Sequence, residues 1–321
     1  MSDEFTPDPE STPYEPQLST PSEPELAPPE TFQAGDEPPA LFQSYSQSEI
    51  VVPKRIPHLG HLALFLAFLA FGFVCMTVTI LSAVYLQTHS LSSLDRIKTE
   101  VPYVLGSMVI LYLVTLALSF VVFPLFWNKG FFAGIQWRGA TALRLRWRLI
   151  GIAVGCIVLA VIDDRFMPGP KNAPIEDMFR TPGAAWLMFG FGVTFAPFFE
   201  EIAFRGFLLP SLATACDWVV EKSNGQAART LDANGHPQWS LSAMVAASIP
   251  TSILFALIHV QQQGHSIGPF ILLTMISLIL CAVRFKTRSL AASTLVHACY
   301  NFILFSTALI SSGGFRHFDK I

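Results

Sequence analysis

The sequence predicts an all-α fold: a polytopic transmembrane helical bundle of about seven spans (six to eight), preceded by a disordered N-terminal tail. Three observations carry this. Hydrophobic residues make up 52% of the 321-residue chain and charged residues 13%, against about 25% charged in a soluble domain. Apolar runs of about 20 residues recur, each long enough to cross a hydrocarbon core of about 30 Å at about 1.5 Å per residue. The runs are continuously apolar rather than alternating, which excludes the pattern of a transmembrane β-barrel.

The tail comes first. Residues 1–49 hold 11 acids, 10 prolines and no lysine or arginine. Such a segment cannot bury enough apolar surface to offset its ordering entropy. It lacks a basic n-region and an apolar h-region, so it is not a signal peptide. Residues 1–55 are read as a solvated acidic, Pro-rich tail; docking to a basic partner is the other reading. Residues 50–321 then hold 12 acids against 20 bases, a net of +8.

Spans are expected at about 60–86, 101–127, 148–166, 184–207, 242–260, 268–284 and 289–311. The first three form an N-terminal transmembrane region within 56–183. The rest form a core at 184–311, followed by a short tail at 312–321. An additional short helix within 207–222 would have Pro210 near its start, where proline is tolerated. From about Cys216 to Ser240 the chain is polar, with Asn224-Gly225 and Asn234-Gly235 turn pairs, and reads as a loop.

The positive-inside rule orients the bundle. Placing Lys129, Arg138, Arg144, Arg146 and Arg148 in the cytoplasm brings Lys54, Arg55, Arg284, Lys286 and Arg288 to the same side. That choice gives 13 Lys/Arg inside and 7 outside, with the neutral loop Gln261 to Pro269 outside. The expectation is a multi-pass protein of the plasma (inner) membrane with a cytoplasmic N-terminus. Its five cysteines form no CxxC pair and are read as free thiols.

Three polar clusters interrupt the apolar runs. The first is Glu200, Glu201 and Arg205, in FFEEIAFRGF. A charge at the bilayer centre costs roughly 2.5–3.5 kcal/mol on the lenient insertion scale, so two acids and a base in one span require pairing, a watery cavity or chemistry. Glu201 and Arg205 are spaced i, i+4 and share a face. Glu200 sits about 100° round and is free to point elsewhere. The second cluster is Phe255 and His259, also i, i+4, where the ring can orient the imidazole. The third is His297 and Asn301, at the same spacing, which can aim two hydrogen-bond donors at one oxyanion.

Each cluster alone has a plain structural reading, as a buried ion pair, a hydrogen-bonded core histidine or interhelical glue. Together they supply a carboxylate base, an imidazole and an imidazole–amide pair, a set suited to activating water against an amide. Other chemistries fit less well. Cys299 is about 200° from His297 on the helix. Ser293 lies i−4 from His297, but no acid in that span would orient the histidine. There is no HExxH signature, no P-loop and no dinucleotide fingerprint. Glu200, His259 and His297 could still be three ligands of a catalytic divalent metal such as zinc.

The set and its order are similar to the CPBP family, the CAAX protease and bacteriocin-processing intramembrane proteases. The family's EExxxR, FxxxH and HxxxN motifs stand here as Glu200–Arg205, Phe255–His259 and His297–Asn301. The FRG after the glutamates and the approach from Arg284 to His297 are also typical. The resemblance covers about residues 184–311. It implies a helical core around a cavity open to the cytosol. It implies that Glu200 and His259 activate a water, that His297 and Asn301 stabilise the oxyanion, and that Glu201 and Arg205 are the supporting pair. No cofactor is required by that scheme. The implied partner is a peptide or membrane-protein substrate in the lipid bilayer, prenylated in eukaryotic relatives; no nucleic acid is expected, and nothing in the pattern sets an oligomeric state. The alternatives are a non-catalytic immunity or regulatory membrane protein, or a transporter using the same buried acids.

One expectation conflicts with another. If the span carrying the glutamates ends near 207 and a straight helix covers 242–260, His259 and Glu200 should differ in depth by roughly 15 Å.

Overall fold

The computed structural model describes residues 55–89, 100–167, 181–229 and 237–315, with 169, 174, 179, 231 and 232. The N-terminal segment up to residue 54 and residues 316–321 lie outside the described residues, so the tail expected there does too.

Among the described residues twelve helical segments follow in order. They are α1 (Leu59–Thr88), α2 (Val101–Trp127), α3 (Phe131–Gly134), α4 (Gly139–Arg144), α5 (Arg146–Phe166), α6 (Pro182–Val193) and α7 (Phe195–Glu201), a π-helix (Ile202–Leu208), then α8 (Leu209–Ser223), α9 (Leu241–His259), α10 (Ile267–Thr287) and α11 (Leu290–Ser311). Among the described residues there is no strand, only an isolated bridge between Leu231 and Pro237.

Among the described residues six stretches are long and apolar enough to span a membrane: α1, α2, the 42-residue run from Pro182 to Ser223, α9, α10 and α11. α5 is not among them, although a span was expected at 148–166. Arg146 and Arg148 at its start and Asp163, Asp164 and Arg165 at its end leave an uncharged stretch from Leu149 to Ile162. That uncharged stretch is about 21 Å long, but the whole 21-residue helix is about 31 Å, so α5 still runs from one end of the bundle to the other with its charged residues at the two ends.

The run from Pro182 to Ser223 is the backbone of the core. It bends at Thr194, because Pro197 has no N–H to return to Val193. It then loosens into the π-helix, where the Leu209 N–H reaches the Phe204 carbonyl five residues back. Single π-turns of this kind are rare and concentrate at functional sites. Helix then continues to Ser223, past the limit of 207 expected for the span and into residues expected to be loop from 216.

That continuation removes the depth conflict. α8 and α9 pack side by side and are joined through the connection after Ser223. Eighteen residues back from Ser223 is Arg205, and eighteen on from Leu241 is His259, so the hairpin returns His259 to the level of the glutamates. The error came from setting the end of the glutamate helix at a membrane boundary instead of at the connection.

Aromatic side chains fasten the glutamate segment to α1 and α2. Phe207 stacks on Phe65 at 4.4 Å and lies 4.8 Å from Phe123. Phe199 stacks face to face on Tyr112 at 3.8 Å between ring centroids. Such pairs add about 0.5–1.5 kcal/mol beyond their buried area. At the far end of α8, the buried Asp217 and Glu221 hold Arg55, with Nη2 of Arg55 2.8 Å from Glu221. Asp217 also accepts from the Ser240 N–H and Oγ, which starts α9. Arg55, at the boundary of the expected tail, is itself buried here.

Candidate active site

Helical geometry divides the two glutamates. Glu201 is fully buried, and its Oε1 accepts from Nη1 of Arg205 at 2.9 Å, the i, i+4 pair. Arg205 is also fully buried and reaches across to α10, where Nη2 donates to the Ser277 hydroxyl at 2.6 Å and its carbonyl at 3.2 Å. Its guanidinium lies over the Phe255 ring, 4.6 Å from the centroid. Glu200, one residue round the helix, points away from this cluster into a cavity.

Two histidines meet Glu200 there. His259 Nε2 is 3.9 Å from Glu200 Oε1, and His297 Nε2 is 3.8 Å from Oε2. Both separations exceed a direct hydrogen bond and suit groups that share a water. The second nitrogen of each ring is fixed from behind. His259 Nδ1 lies 2.7 Å from the Phe255 carbonyl, which can only accept, so Nδ1 carries the proton and Nε2 faces Glu200 with its lone pair. His297 Nδ1 donates to Glu201 Oε1 at 3.1 Å. The spacing predicted that the Phe255 ring would orient His259; the ring lies 4.8 Å away, and its own backbone carbonyl makes the bond.

Asn301, one turn beyond His297 on α11, also lines the cavity. Its Nδ2 donates to the Gly192 carbonyl at 2.8 Å, tying α11 to the end of α6 just before the bend. Ser293 gives its proton to the Leu290 carbonyl at 3.0 Å, so its hydroxyl is engaged with backbone and not with His297. The five cysteines are free.

The cavity has a volume of about 510 Å³. It runs from Glu200, His259, His297 and Asn301 between apolar walls that include Leu105, Met188 and Leu272. Its other end is lined by Asp163, Asp164, Gln262 and Gln263. These residues close the end of the bundle opposite the basic connections at 128–148 and 284–288. An N-inside orientation would put this end of the cavity outside, whereas the family resemblance implies a cytosolic opening.

A divalent ion needs nitrogen and oxygen ligands about 2.0–2.2 Å from a common point. Among the described residues no group of three His, Cys, Asp or Glu side chains is arranged to hold one.

Two residues of this site carry no motif signal strong enough to find from sequence. Gly192 on α6 holds Asn301 through its backbone carbonyl, a group any residue type offers, and Ser277 on α10 holds Arg205 through a hydroxyl and a carbonyl from 72 residues away, one serine among many in the apolar helices.

Residues 182–303 match a family model, Rce1-like, described as type II CAAX prenyl endopeptidase Rce1-like. No curated protein and no solved structure matches the chain. The matched stretch begins with α6 and contains the glutamate segment, α9, α10 and the part of α11 bearing His297 and Asn301. The match over residues 182–303 covers the stretch that bears all three motifs and agrees with the family they resemble, the CAAX-type intramembrane proteases.

Proposed function

We propose that the protein is an intramembrane endopeptidase in which Glu200 activates a water against a peptide bond. The observation that carries this is the convergence of the Glu200 carboxylate with Nε2 of both His259 and His297, at 3.9 and 3.8 Å, at the inner end of a cavity.

Glu200 takes a proton from a water that also donates its second hydrogen to Nε2 of His259. The resulting hydroxide attacks the carbonyl carbon. Negative charge moves to the carbonyl oxygen, where Nε2–H of His297 and the Asn301 amide donate to it. With Nδ1 bonded to Glu201, that role requires a proton on each ring nitrogen. His297 would then act as an imidazolium lying between Glu200 and Glu201. As the tetrahedral species collapses the C–N bond breaks, and the proton held by Glu200 passes to the leaving amine. Apolar walls suit an apolar stretch of peptide or its lipid anchor, with the scissile bond reaching Glu200.

The test is a comparison of peptide termini in membranes from cells holding wild-type protein or Glu200→Gln at matched abundance. Termini lost only in the variant support the reading. Identical termini, under conditions where removing the protein has an effect, would favour the non-catalytic immunity or regulatory alternative. Repeating the cleavage with a chelator separates the metal-free scheme, in which activity survives, from one in which Glu200, His259 and His297 gather round a zinc ion.

A further inference from the structure

The connection after α2 carries charge that the protein does not answer. From Val101 to Ile162 the chain has no acidic residue, yet Lys129, Arg138, Arg144, Arg146 and Arg148 all lie there. None of the five forms an ion pair among the described residues. Arg144 and Arg148 are exposed, and so are Leu143 just before them and Trp147 between them. Guanidiniums interleaved with exposed apolar and indole side chains, directly after an apolar span, have the composition of a membrane interface.

Deeper in, two guanidiniums approach one another. Arg284 is 2% exposed, and its charge is close enough to Arg138 for the two to repel. Arg284 Nη1 and Arg138 Nη2 are buried without a hydrogen-bond partner, as are both polar side-chain atoms of the buried Gln136. Buried donors left unmet are unfavourable. A phosphate, with several acceptor oxygens and negative charge, matches such a fork of donors.

We propose that this connection, together with Arg284, binds the headgroup phosphate of an anionic phospholipid. The lipid is favoured as the source because the same connection exposes Trp147 and follows the exposed Leu125 and Phe126 at the end of α2, apolar side chains that would meet acyl chain. The site is wired to the candidate active site. Arg284 donates from Nε to the Arg205 carbonyl in the π-helix and from Nη2 to the Ile135 carbonyl, both at 3.3 Å. The Gln136 carbonyl accepts from Leu290 N–H at 3.0 Å, and Ser289 Oγ donates to the Arg138 carbonyl at 2.9 Å. A bound headgroup therefore steadies both the segment carrying Arg205 and the start of the helix carrying His297.

The test uses full-length protein in nanodiscs of phosphatidylcholine alone or with phosphatidylglycerol, read by native mass spectrometry. Wild-type protein should retain phosphatidylglycerol several-fold over its share of the disc. Arg138→Gln and, separately, the double variant Arg144→Gln/Arg148→Gln should each reduce that preference. The two exposed arginines have no partner to lose, so the double variant keeps the fold. Equal retention of both lipids, or a preference unchanged in both variants, overturns the proposal. So does displacement of the lipid by millimolar inorganic phosphate, which would make the site one for free anion. Hydrogen exchange at Ile202–Leu208 should slow in phosphatidylglycerol discs for wild type and not for the double variant; no change in wild type overturns the coupling. Neither readout depends on cleavage, so Glu200→Gln protein should behave as wild type in both.

Discussion

The Nδ1 of His297 lies 3.1 Å from Oε1 of Glu201, the same oxygen that accepts from Arg205 at 2.9 Å. One carboxylate thus joins an ion pair within its own helix to a histidine on α11. Its neighbour Glu200, about 100° round the helix, is left to face the cavity and the two Nε2 atoms. Adjacent acids with the same chemistry are given different work by the direction in which each points.

That division is measurable as stability. Glu201→Ala leaves the buried Arg205 without its carboxylate and His297 without an acceptor, and breaking such a pair costs about 3–5 kcal/mol. Glu200→Gln keeps the shape of a side chain that makes no direct hydrogen bond, and should leave stability within about 0.5 kcal/mol. Thermal unfolding of the detergent-solubilised variants should rank Glu201→Ala far below wild type and Glu200→Gln beside it. The reverse ranking would reassign the two acids.

Asn301 separates the oxyanion role from a packing role. Loss of one oxyanion donor lowers kcat by about 100- to 1,000-fold. Asn301→Ala should lower kcat by that order with KM little changed. Because the residue also ties α11 to Gly192, a purely structural role would instead appear as a loss of unfolding temperature with kcat per folded molecule unchanged.

Much of the site was legible before any coordinates. The i, i+4 spacing of Glu201 and Arg205 is a property of the helix alone, so their pair at 2.9 Å could be read from letters. The same holds for His297 and Asn301 both facing the cavity. The approach of His259 to Glu200 could not be read. It depends on how far the helix runs past Leu208 before it turns back, and apolar patterning fades at Asp217 and Glu221 although helix continues. Those acids look like loop in sequence because their partner, Arg55, lies more than 160 residues away.

Arg55 should govern the connection after α8. Without it, the cation left to Asp217 and Glu221 among the described residues is Arg229, which is 47% exposed and sits 3.9 and 3.7 Å away. Asp217 also caps the start of α9 through Ser240, so a weakened cluster loosens both ends of the hairpin. Arg55→Ala should speed limited proteolysis within residues 224–240 by about tenfold, equivalent to about 1.4 kcal/mol in the opening equilibrium. An unchanged rate would mean that the cluster is not what holds the connection.

The direction in which the cavity faces is the last prediction, because two sequence expectations disagree on it. The charge count of 13 against 7 places the basic connections in the cytoplasm. Gln263 lines the other end of the cavity and so should lie outside, whereas the family resemblance implies a cytosolic opening. In a chain whose five cysteines are replaced, Gln263→Cys should react with a membrane-impermeant maleimide added to intact cells. Arg144→Cys should react only after permeabilisation. That pattern would make the substrate a segment presented from the non-cytoplasmic side. The opposite pattern would invert the protein, put the acids within reach of cytosolic chains and favour a lipid-anchored C-terminus as substrate. Charge bias is the stronger guide here, since it is carried by short connections flanking the spans, where the positive-inside rule operates.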